Sequence, residues 1–369
     1  MTGLESSRIL ITVPCLQDPG GVASFYNGIL PHFPQGQVIP LEIGGSKRSG
    51  GLLYPLIDQI RFHHTVKRVN PALIHLNPSL ISKSFFRDGL FAWQAKKMGY
   101  PLLIFWHGWC GGYESVVEKR YLGFFRRTLG LADGFIVLAS EFERRLRKWG
   151  VRVPIYRETT NVEESLLAGF DVQDKWADFK RLGQIKILFL ARLEREKGMF
   201  ETLQAIKFLI EKKYPVSLTI AGDGKILQEL KEYARSLNFA PRQVHFTGDI
   251  RGEDKIRIFA NHHIYCFPTF FAEGLPTSVL EAMAFGMPVV TRPVGGLADI
   301  FEDGKMGCLV HGKSPEEIAA CLEKIIADPN KMAEVGRYNA KYAKEHFMAS
   351  VVAKRLLKIY EELRVNIKR

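Results

Sequence analysis

Short apolar runs rich in β-branched residues alternate with helix-forming segments along most of the chain. A parallel sheet carries helices on both faces, so its buried strands are near-continuous apolar runs separated by such segments. The alternation is interrupted between Glu158 and Gly183 by a polar zone without a clear period, and it then starts again. The pattern therefore predicts an α/β protein made of two doubly wound domains.

The predicted strands form two sets, one on each side of this interruption. The first set is Arg8–Val13, Gln37–Ile43, Ala72–Asn77, Pro101–Trp106, Gly134–Leu138 and Val153–Arg157. The second set is Ile185–Ala191, Val216–Ala221, Gln243–Thr247, Ile264–Pro268 and Met287–Thr291. From Ser314 to the end of the sequence, the pattern indicates helices only.

The length of the chain also favours two domains. Its 369 residues exceed the roughly 250 to 300 at which one hydrophobic core stops growing. With 46% apolar and 24% charged residues, the composition is that of an ordinary globular protein. We expect an N-terminal domain of residues 1–170 and a C-terminal domain of residues 184–349, joined near residues 165–183. A final helix at about 350–369 is expected to pack back on the first domain.

The cysteines and the apolar segments bear on the compartment. The five cysteines are far apart, odd in number and without the spacing of metal ligands, so neither a disulfide framework nor a zinc site is expected. The sequence starts MTGLESSRILITV, without a charged segment followed by a long apolar one. No apolar run approaches the about 18 residues of a membrane span. We therefore expect a cytoplasmic protein in a reduced compartment.

The charge is strongly positive and unevenly distributed. The formal net charge is +12, and ten basic residues face three acidic ones between Lys119 and Arg157. Such a balance favours anionic partners. Within this stretch, residues 114–130 (ESVVEKRYLGFFRRTLG) predict a helix that mixes aromatic and basic residues. Two interpretations stay open, a helix lying peripherally on an anionic membrane and a core-packed helix with a solvated basic face.

The segment from Pro268, PTFFAEGLPTSVLEAMAFGMPVV, predicts a strand, a loop, a helix and a second strand. Pro276 is a typical helix start. The loop amides of Gly274 and Leu275, with the helix dipole, favour a bound anion. Glu273 in the loop and Glu281 on the helix are strong acceptors for sugar hydroxyls. A phosphate site between two such carboxylates indicates a nucleotide-sugar donor. An isolated pair of glutamates is more often a loop charge and a solvated helix-face charge, but this pair lies in a strand-to-helix turn at the carboxyl end of a parallel strand, where α/β sheets bind ligands.

These residues carry a family resemblance. The segment resembles the Glu-x7-Glu motif of retaining glycosyltransferases of the GT-B fold, in particular glycosyltransferase family 4. The resemblance implies two Rossmann-like domains that face each other across a cleft. It implies that Glu273 contacts the hydroxyls of the donor sugar and that Glu281 holds the ribose. The amides of Gly274 and Leu275 would then meet the sugar-bearing phosphate.

Two further matches follow strands of the second domain. ARLEREKG at residues 191–198 resembles the family segment whose Arg and Lys bind the pyrophosphate, so Arg192 and Lys197 inherit that role. AGDG at residues 221–224 and VHFTGDI at residues 244–250 are similar to further segments of the family. The resemblance implies that Gly222 lies at the donor and Ile250, and secondarily Asp249, beside the nucleobase. No G-x-G-x-x-G follows the first strand, which weighs against a dinucleotide enzyme.

Two features of the first domain complete the predicted site. Gly20 and Gly21 follow the first strand and resemble the family's N-terminal Gly-Gly loop, which borders donor and acceptor. His107 ends the apolar strand in LLIFWHGW and resembles a histidine that lies near the donor sugar. The alternatives are an ordinary turn for the glycines and a structural histidine at the strand end.

The resemblance implies transfer with retention by a front-face mechanism, in which the leaving diphosphate helps to deprotonate the acceptor hydroxyl. Arg192 and Lys197 would stabilise the leaving charge. The chain has no Asp-x-Asp pair, so neither a metal nor another cofactor is expected. The predicted function is the transfer of a sugar to a glycan or lipid-linked acceptor, in the assembly of cell-surface polysaccharide or glycolipid.

Two alternatives remain at this point. One is a nucleotide-sugar epimerase, hydrolase or phosphorylase on the same fold, although no lysine-bearing cofactor site of a phosphorylase is evident. The other is a basic, non-catalytic protein that binds nucleic acid or a membrane. No nucleic-acid-binding module is visible in the sequence, so nucleic acid is not an expected partner.

Overall fold

The computed structural model of the chain describes residues 8–18, 20–44 and 54–368. These residues group into two compact units. The first unit comprises the described residues up to Asn161, the short segment Ala272–Leu275 and the chain from Ala349 onward. The second unit comprises Val162–Phe271 and Pro276–Met348.

The first unit is built on a six-stranded sheet in which every pair of neighbouring strands is parallel. Its strands are β1 (Ile9–Val13), β2 (Val38–Glu42), β3 (Leu73–Leu76), β5 (Leu102–Trp106), β7 (Gly134–Val137) and β8 (Ile155–Arg157). Their order in the sheet is β2-β1-β3-β5-β7-β8. A separate two-stranded sheet pairs β4 (Ser79–Leu80) with β6 (Gly108–Trp109).

Helices connect the strands of the first unit. They are α1 (Gly21–Ile29), α2 (Tyr54–Val69), α3 (Ser82–Lys97), α4 (Gly111–Val116), α5 (Leu122–Arg127), α6 (Ser140–Lys148) and, near the end of the chain, α15 (Ala349–Lys368). One turn of π-helix, Val117–Tyr121, joins α4 to α5. The helices cover the sheet so completely that every residue of β1 and β5 is buried, which explains their uninterrupted apolar sequence.

The second unit repeats this architecture with another parallel six-stranded sheet. Its strands are β9 (Ile185–Leu190), β10 (Val216–Ala221), β11 (Val244–Gly248), β12 (Ile264–Phe267), β13 (Val289–Thr291) and β14 (Gly307–Leu309). Its helices are α7 (Val172–Leu182), α8 (Met199–Glu211), α9 (Leu227–Ser236), α10 (Gly252–Asn261), α11 (Thr277–Ala284), α12 (Leu297–Ile300), α13 (Pro315–Ile326) and α14 (Pro329–His346). The strand order is β11-β10-β9-β12-β13-β14.

The α/β fold class is therefore confirmed, and each of the eleven predicted strands overlaps a strand of these sheets. The sequence pattern did not reveal the edge strand β14 or the two short strands β4 and β6. These three elements have two or three residues each, too few to show a period in the sequence.

The polar zone before Gly183, where the two domains were expected to join, contains a helix. Residues Val172–Leu182 form the helix α7, which groups with the second unit. Asp171 caps its first turn by accepting a hydrogen bond from the amide of Gln173. Trp176 is fully buried, and its indole donates to the carbonyl oxygen of Gly286. One large aromatic residue therefore anchors a helix whose other residues are mostly polar.

The last helix, α15, packs within the first unit against α1. Its Tyr360 hydroxyl lies 2.9 Å from Nδ1 of the buried His75 on β3. Nε of Arg355 donates to both carboxylate oxygens of Glu158, at 2.7 and 3.0 Å. Burial raises the pKa of Glu158, and Arg355 opposes that rise. Buried polar contacts thus join the end of the chain to the first unit's sheet.

The cysteine prediction needs a correction. Cys308 and Cys321 form a disulfide, although the sequence spacing gave no sign of one. Helix α13 packs against β14 and brings the two Cα atoms to 5.6 Å, within the range that a disulfide spans. Cys15, Cys110 and Cys266 are free thiols. Among the helices of the described ranges, none combines the length and apolar character needed to cross a membrane.

Candidate functional site

The strand order of the second unit defines where a ligand would bind. In a doubly wound sheet, ligands occupy the carboxyl ends of the strands at the point where the strand order reverses. Here that point lies between β9 and β12, the two central neighbours. Arg192 and Lys197 follow β9, and Glu273 follows β12. The loops that carry these residues therefore begin at the carboxyl ends of two neighbouring strands of the second unit.

The loops at this edge approach each other so closely that glycine is required. A Cβ atom at Gly198 would lie 2.6 Å from the carbonyl oxygen of Pro268, and Gly198 has a φ of +86°. A Cβ at Gly222, whose φ is +132°, would overlap the carbonyl oxygen of Ala191. Close packing of the backbone therefore requires glycine at both positions. The predicted contact of Gly222 with the donor stays a prediction.

The two predicted phosphate-binding cations have different environments. The side chain of Arg192 is 74% exposed and lies 3.7 Å from Glu194. Lys197 is buried, and its ammonium lies 4.3 Å from the centroid of the Phe271 ring. A cation held over an aromatic face in a region of low dielectric acts on a nearby anion more strongly than an exposed one.

Glu281 is the most deeply placed carboxylate of the predicted site. It lies on α11 and is only 5% exposed. Nζ of Lys255, on α10, donates to Oε1 of Glu281 at 2.6 Å. Burial raises the pKa of Glu281, while Lys255 acts in the opposite direction and the nearby Glu163 adds to the rise. The carboxylate is thus an oriented acceptor whose charge depends on one lysine.

Lys255 was not among the residues identified from the sequence. It lies in GEDKIRIFAN directly after two acidic residues, and nothing in the spacing of the charges distinguishes it. Only the folded chain brings its ammonium within hydrogen-bond distance of Glu281. A buried carboxylate requires a cation or hydrogen-bond donors, but the sequence alone does not say which of many lysines supplies it.

The loop before α11 offers unpaired amides. Glu273 is half-buried, and Leu275 is buried. Among the described residues, the amides of Gly274 and Leu275 donate to no carbonyl oxygen or side chain. The carbonyl oxygen of Leu275 accepts a hydrogen bond from the hydroxyl of Thr160 at 3.3 Å. Free amides before a helix N-terminus fit an anion-binding role.

Gly274 lies against the backbone of His107, another residue of the predicted site. The segment Ala272–Leu275 makes its contacts in the first unit. A Cβ at Gly274 would lie 2.6 Å from the carbonyl oxygen of His107 and 2.9 Å from a methyl group of Leu138. The absence of a side chain at this position therefore has a steric reason in addition to the predicted contact with phosphate.

In the first unit, the strand order reverses between β1 and β3. Gly20 and Gly21 follow β1, and α1 begins at Gly21. A Cβ atom at either position would meet no atom within 4 Å. Packing within the described chain thus gives no reason for glycine here, and their predicted contact with donor or acceptor stays a prediction.

His107 follows β5 and lies in a polar cluster with residues that sequence reasoning missed. Its Nε2 is 3.0 Å from Oδ1 of Asn77, the residue that follows β3. The Tyr26 hydroxyl donates to the same Oδ1 at 2.7 Å. The ring centroids of His107 and Phe105 are 3.8 Å apart. Burial, with a smaller contribution from His75, lowers the pKa of His107 to about 3, so the imidazole is neutral at physiological pH.

The remaining predicted donor contact follows β11. Ile250 is half-buried, and the neighbouring Asp249 is exposed and bonded to Arg251 at 2.9 Å. Gly248, with a φ of +75°, ends the strand, and α10 begins two residues after Ile250. The apolar side chain lies where a loop joins strand to helix at the sheet edge, and its contact with a nucleobase stays a prediction.

The basic stretch of the first unit packs its aromatic residues inward. Phe125 is buried, and the rings of Tyr121 and Phe124 each lie 5.0 Å from that of Phe86 on α3. The basic residues of the same segment are exposed: Lys119, Arg120, Arg126 and Arg127. This arrangement favours the core-packed helix with a basic face over a helix that inserts its own aromatic residues into a membrane.

No group of three or more metal-binding side chains occurs within the described ranges. The expectation that the reaction needs neither metal nor cofactor stays a prediction.

Comparison with known proteins finds one family match and several relatives. Residues 172–342 match the model of the family described as glycosyl transferases group 1. An uncharacterized glycosyltransferase of Methanocaldococcus jannaschii is 30% identical over 259 residues, which cover 68% of this chain and 65% of that protein. A GDP-mannose-dependent alpha-(1-6)-phosphatidylinositol monomannoside mannosyltransferase of Mycolicibacterium smegmatis is 31% identical over 156 residues, 41% of each chain. The chain spans less than two thirds of the length of these curated relatives.

Solved structures show the fold. The crystal structure of Anabaena HepE in complex with UDP superimposes with a TM-score of 0.75 at 17% identity, covering 96% of this chain and 100% of that one. Two six-stranded parallel sheets, each doubly wound, and this similarity over nearly the whole chain are the features of the GT-B fold. Residues 172–342 therefore match the glycosyl transferases group 1, and the chain has the GT-B fold.

Proposed function

We propose that the chain transfers a sugar from a nucleoside diphosphate sugar to a hydroxyl group of a glycan or lipid-linked acceptor. The observation that carries this proposal is the arrangement at the carboxyl edge of β9 and β12. Cations follow one strand, and free amides with the Glu273 carboxylate follow the other. The group 1 match spans both segments.

The roles of the residues follow from their environments. The buried Lys197 and the exposed Arg192 compensate the charge that develops on the leaving diphosphate. The amides of Gly274 and Leu275 bind the sugar-bearing phosphate. Glu273 accepts hydrogen bonds from the sugar hydroxyls, and Glu281 accepts them from the ribose. Together these groups bind both ends of a donor around its charged centre.

We further propose that transfer retains the anomeric configuration. The site residues provide hydrogen bonds and positive charge, and none of them is assigned as a nucleophile. The leaving phosphate oxygen then takes the proton from the attacking hydroxyl on the same face of the sugar. Catalysis rests on electrostatic stabilisation of the leaving group, which is the usual source of large rate effects in transfer reactions of this kind.

Thermal stabilisation by nucleotides tests the donor part of this proposal. A ligand that binds only the folded state stabilises it by RT ln(1 + [L]/Kd), or about 2.7 kcal/mol at a hundredfold excess over Kd. UDP, GDP and ADP are compared, each against its monophosphate. We expect one diphosphate to raise Tm more than the others and more than its monophosphate. The same Tm with every nucleotide would contradict the proposal.

Product analysis tests the reaction class. With the identified donor and an acceptor mixture of glycans and lipid extracts, we expect a new glycoside that keeps the donor's anomeric configuration in proton NMR spectra. Free sugar as the only product would indicate a hydrolase, and an altered nucleotide sugar would indicate an epimerase. An inverted product would contradict retention while leaving the transferase proposal intact.

We also propose that the first unit contacts an anionic membrane through the outer faces of α2 and α3. These helices pack side by side, with the rings of Phe62 and Phe91 4.7 Å apart. Their outer faces expose five large apolar side chains: Leu56, Ile57, Ile60, Leu90 and Trp93. Apolar burial is what membrane association requires of a surface.

The charges around this apolar face complement an anionic surface. The exposed cations of the two helices are Lys67, Arg68, Lys83 and Lys97. Lys97 lies 5.9 Å from the ring centroid of Trp93. The two acidic residues of α2 and α3, Asp58 and Asp88, are both buried. The exposed basic residues of the neighbouring segment 119–127 add to this positive charge. Each cation near an anionic leaflet contributes about 1 kcal/mol to membrane binding.

Vesicle cosedimentation tests the membrane contact. We expect binding to vesicles containing phosphatidylserine, decreasing with salt, and little binding to phosphatidylcholine alone. A variant with Ile60→Glu and Trp93→Glu is expected to lose most of this binding. Ile367→Glu is the control, because Ile367 is an exposed apolar residue on α15, which packs against α1. Equal binding by the two variants would contradict this surface as the contact.

A further inference from the structure

The amide of Asn77 has only one orientation compatible with its neighbours. One end of the side chain lies 2.7 Å from the carbonyl oxygen of Thr12. A carbonyl oxygen accepts hydrogen bonds and cannot donate them, so the group facing Thr12 must be the Nδ2 amide. The Oδ1 atom therefore faces the opposite direction, towards Tyr26 and His107.

This orientation determines the position of a proton on His107. The Oδ1 atom of Asn77 can only accept, and its second partner is Nε2 of His107 at 3.0 Å. The hydrogen bond therefore requires a proton on Nε2. In the neutral imidazole the other nitrogen, Nδ1, then carries a lone pair. Within the described part of the chain, no hydrogen bond to Nδ1 of His107 is formed.

The surroundings hold both side chains in place. Asn77 is 9% exposed, and Tyr26 is fully buried. The ring of Phe25 packs against His107 with centroids 4.9 Å apart. Two titratable side chains lie beside His107: Tyr26, whose ring centroid is 5.9 Å away, and His75 on β3, which is bonded to Tyr360. Neither Tyr26 nor His75 supplies a negative charge that would favour the imidazolium of His107.

We propose that Asn77 is a positioning residue that fixes His107 as the Nε2–H tautomer, so that Nδ1 acts as a hydrogen-bond acceptor for a sugar hydroxyl. This inference rests on the proposed function for the identity of the ligand. Nδ1 then recognises a group that donates, and it disfavours a carbonyl or carboxylate at the same place on the sugar. His107 thereby becomes a selector for a hydroxyl-bearing sugar over one oxidised at that position.

The tautomer is measured without any ligand. Long-range proton–nitrogen NMR spectra of the full chain labelled with 15N-histidine distinguish protonated from unprotonated ring nitrogens. We expect the His107 signals to show a proton on Nε2 and an unprotonated Nδ1 between pH 6 and 8. The signals are assigned with a His107→Gln variant. A proton on Nδ1 would overturn the inference whether or not the chain is a transferase.

Three variants separate positioning from a structural role. Asn77→Asp replaces the neutral acceptor by a carboxylate, so the pKa of His107 should rise and the ring should titrate at higher pH. Asn77→Ala should mix the two tautomers and lower kcat about tenfold, the scale on which outer partners of imidazole ligands act, with little change in nucleotide affinity. Tyr26→Phe is the matched control, because it removes the other hydrogen bond to Oδ1 and keeps the bond to His107.

The outcomes are distinct. If Asn77 serves only to hold the fold, Asn77→Ala and Tyr26→Phe should both lower Tm and leave the tautomer of His107 unchanged. If nucleotides fail to bind the wild-type protein, the proposed function fails, and the NMR result still decides the tautomer. An Asn77→Ala variant with the wild-type tautomer and turnover would overturn the positioning role.

Discussion

Lys255 Nζ lies 2.6 Å from Oε1 of Glu281, and this contact joins α10 to the buried carboxylate of α11. The lysine side chain is 25% exposed, whereas Glu281 is almost completely enclosed. The pair is therefore asymmetric, because the lysine can be solvated when the glutamate binds a ligand. In the proposed donor complex, ribose hydroxyls would share the carboxylate with Lys255.

Removing the lysine should destabilise the fold in a pH-dependent manner. Lys255→Met leaves Glu281 buried without its cation, and we expect a loss of about 1 to 3 kcal/mol at pH 8. Burial already raises the pKa of Glu281, and the variant raises it further. A carboxyl group with a raised folded-state pKa favours folding at low pH and loses that contribution as pH rises through this pKa. Urea unfolding should therefore show a smaller loss at pH 5.

The double variant Lys255→Met with Glu281→Gln is the control for this prediction. It removes both charges, so much of the lost free energy of unfolding should return. Destabilisation that is additive and equal at both pH values would mean that the ion pair has no energetic role.

The two predicted phosphate-binding cations should contribute unequally. Lys197→Ala should lower kcat by about 10² to 10³, the range for removing one preorganised charge from a transition state. Arg192→Ala should have a smaller effect that weakens with salt, because Arg192 is exposed and screened. Arg195→Ala, in the same turn but bonded to Glu229, is the control and should retain activity. Near-normal turnover of the Lys197 variant would contradict its assigned role.

Glycine-to-alanine substitutions should separate steric need from ligand contact. Gly222→Ala forces a Cβ into the carbonyl oxygen of Ala191 at a φ of +132°, and we expect a loss of several kcal/mol or failure to fold. Gly21→Ala meets open space at the first position of α1 and should change the free energy of unfolding by less than about 1 kcal/mol. Lower activity of a stable Gly21→Ala variant would support its contact with a substrate.

The buried histidines should make stability fall on acidification. The folded-state pKa of His262 is lowered to about 4, chiefly by burial, below the usual 6.5. A histidine with a depressed folded-state pKa contributes stability above pH 6.5 and loses it as pH falls towards 4. Urea unfolding at pH 7.5 and pH 5 should show this loss. In His262→Gln, the free energy of unfolding should differ less between pH 7.5 and pH 5. An unchanged difference would exclude His262 as a source of the pH dependence.

The sequence predicted the repeated α/β pattern because strands covered on both faces must be apolar throughout. It failed for α7, where Trp176 and the buried Lys175 fix a mostly polar helix through contacts with Gly286, Phe259 and Phe285. Those partners lie 84 to 110 positions away in the chain. No local period carries such information, so the helix was recognisable only in the folded protein.

The same distinction applies to the site. Residues in loops after strands, such as Lys197 and His107, could be predicted as site residues because doubly wound sheets bind ligands at the carboxyl ends of their strands. Lys255 and Asn77 could not, since their importance comes from the side chain that each one contacts. The pairing of Cys308 with Cys321 was missed for a similar reason, as only the packing of α13 against β14 brings the two residues together.

Calorimetric titration with nucleoside diphosphates tests the donor site most directly, using the wild-type chain and Glu281→Gln. We predict one-to-one binding of one diphosphate by the wild type and at least about tenfold weaker binding by the variant, equivalent to about 1.4 kcal/mol. Circular dichroism confirms that the variant is folded. Absence of binding by the wild type for UDP, GDP and ADP, or equal affinity of a folded Glu281→Gln variant, would contradict the assignment of this site.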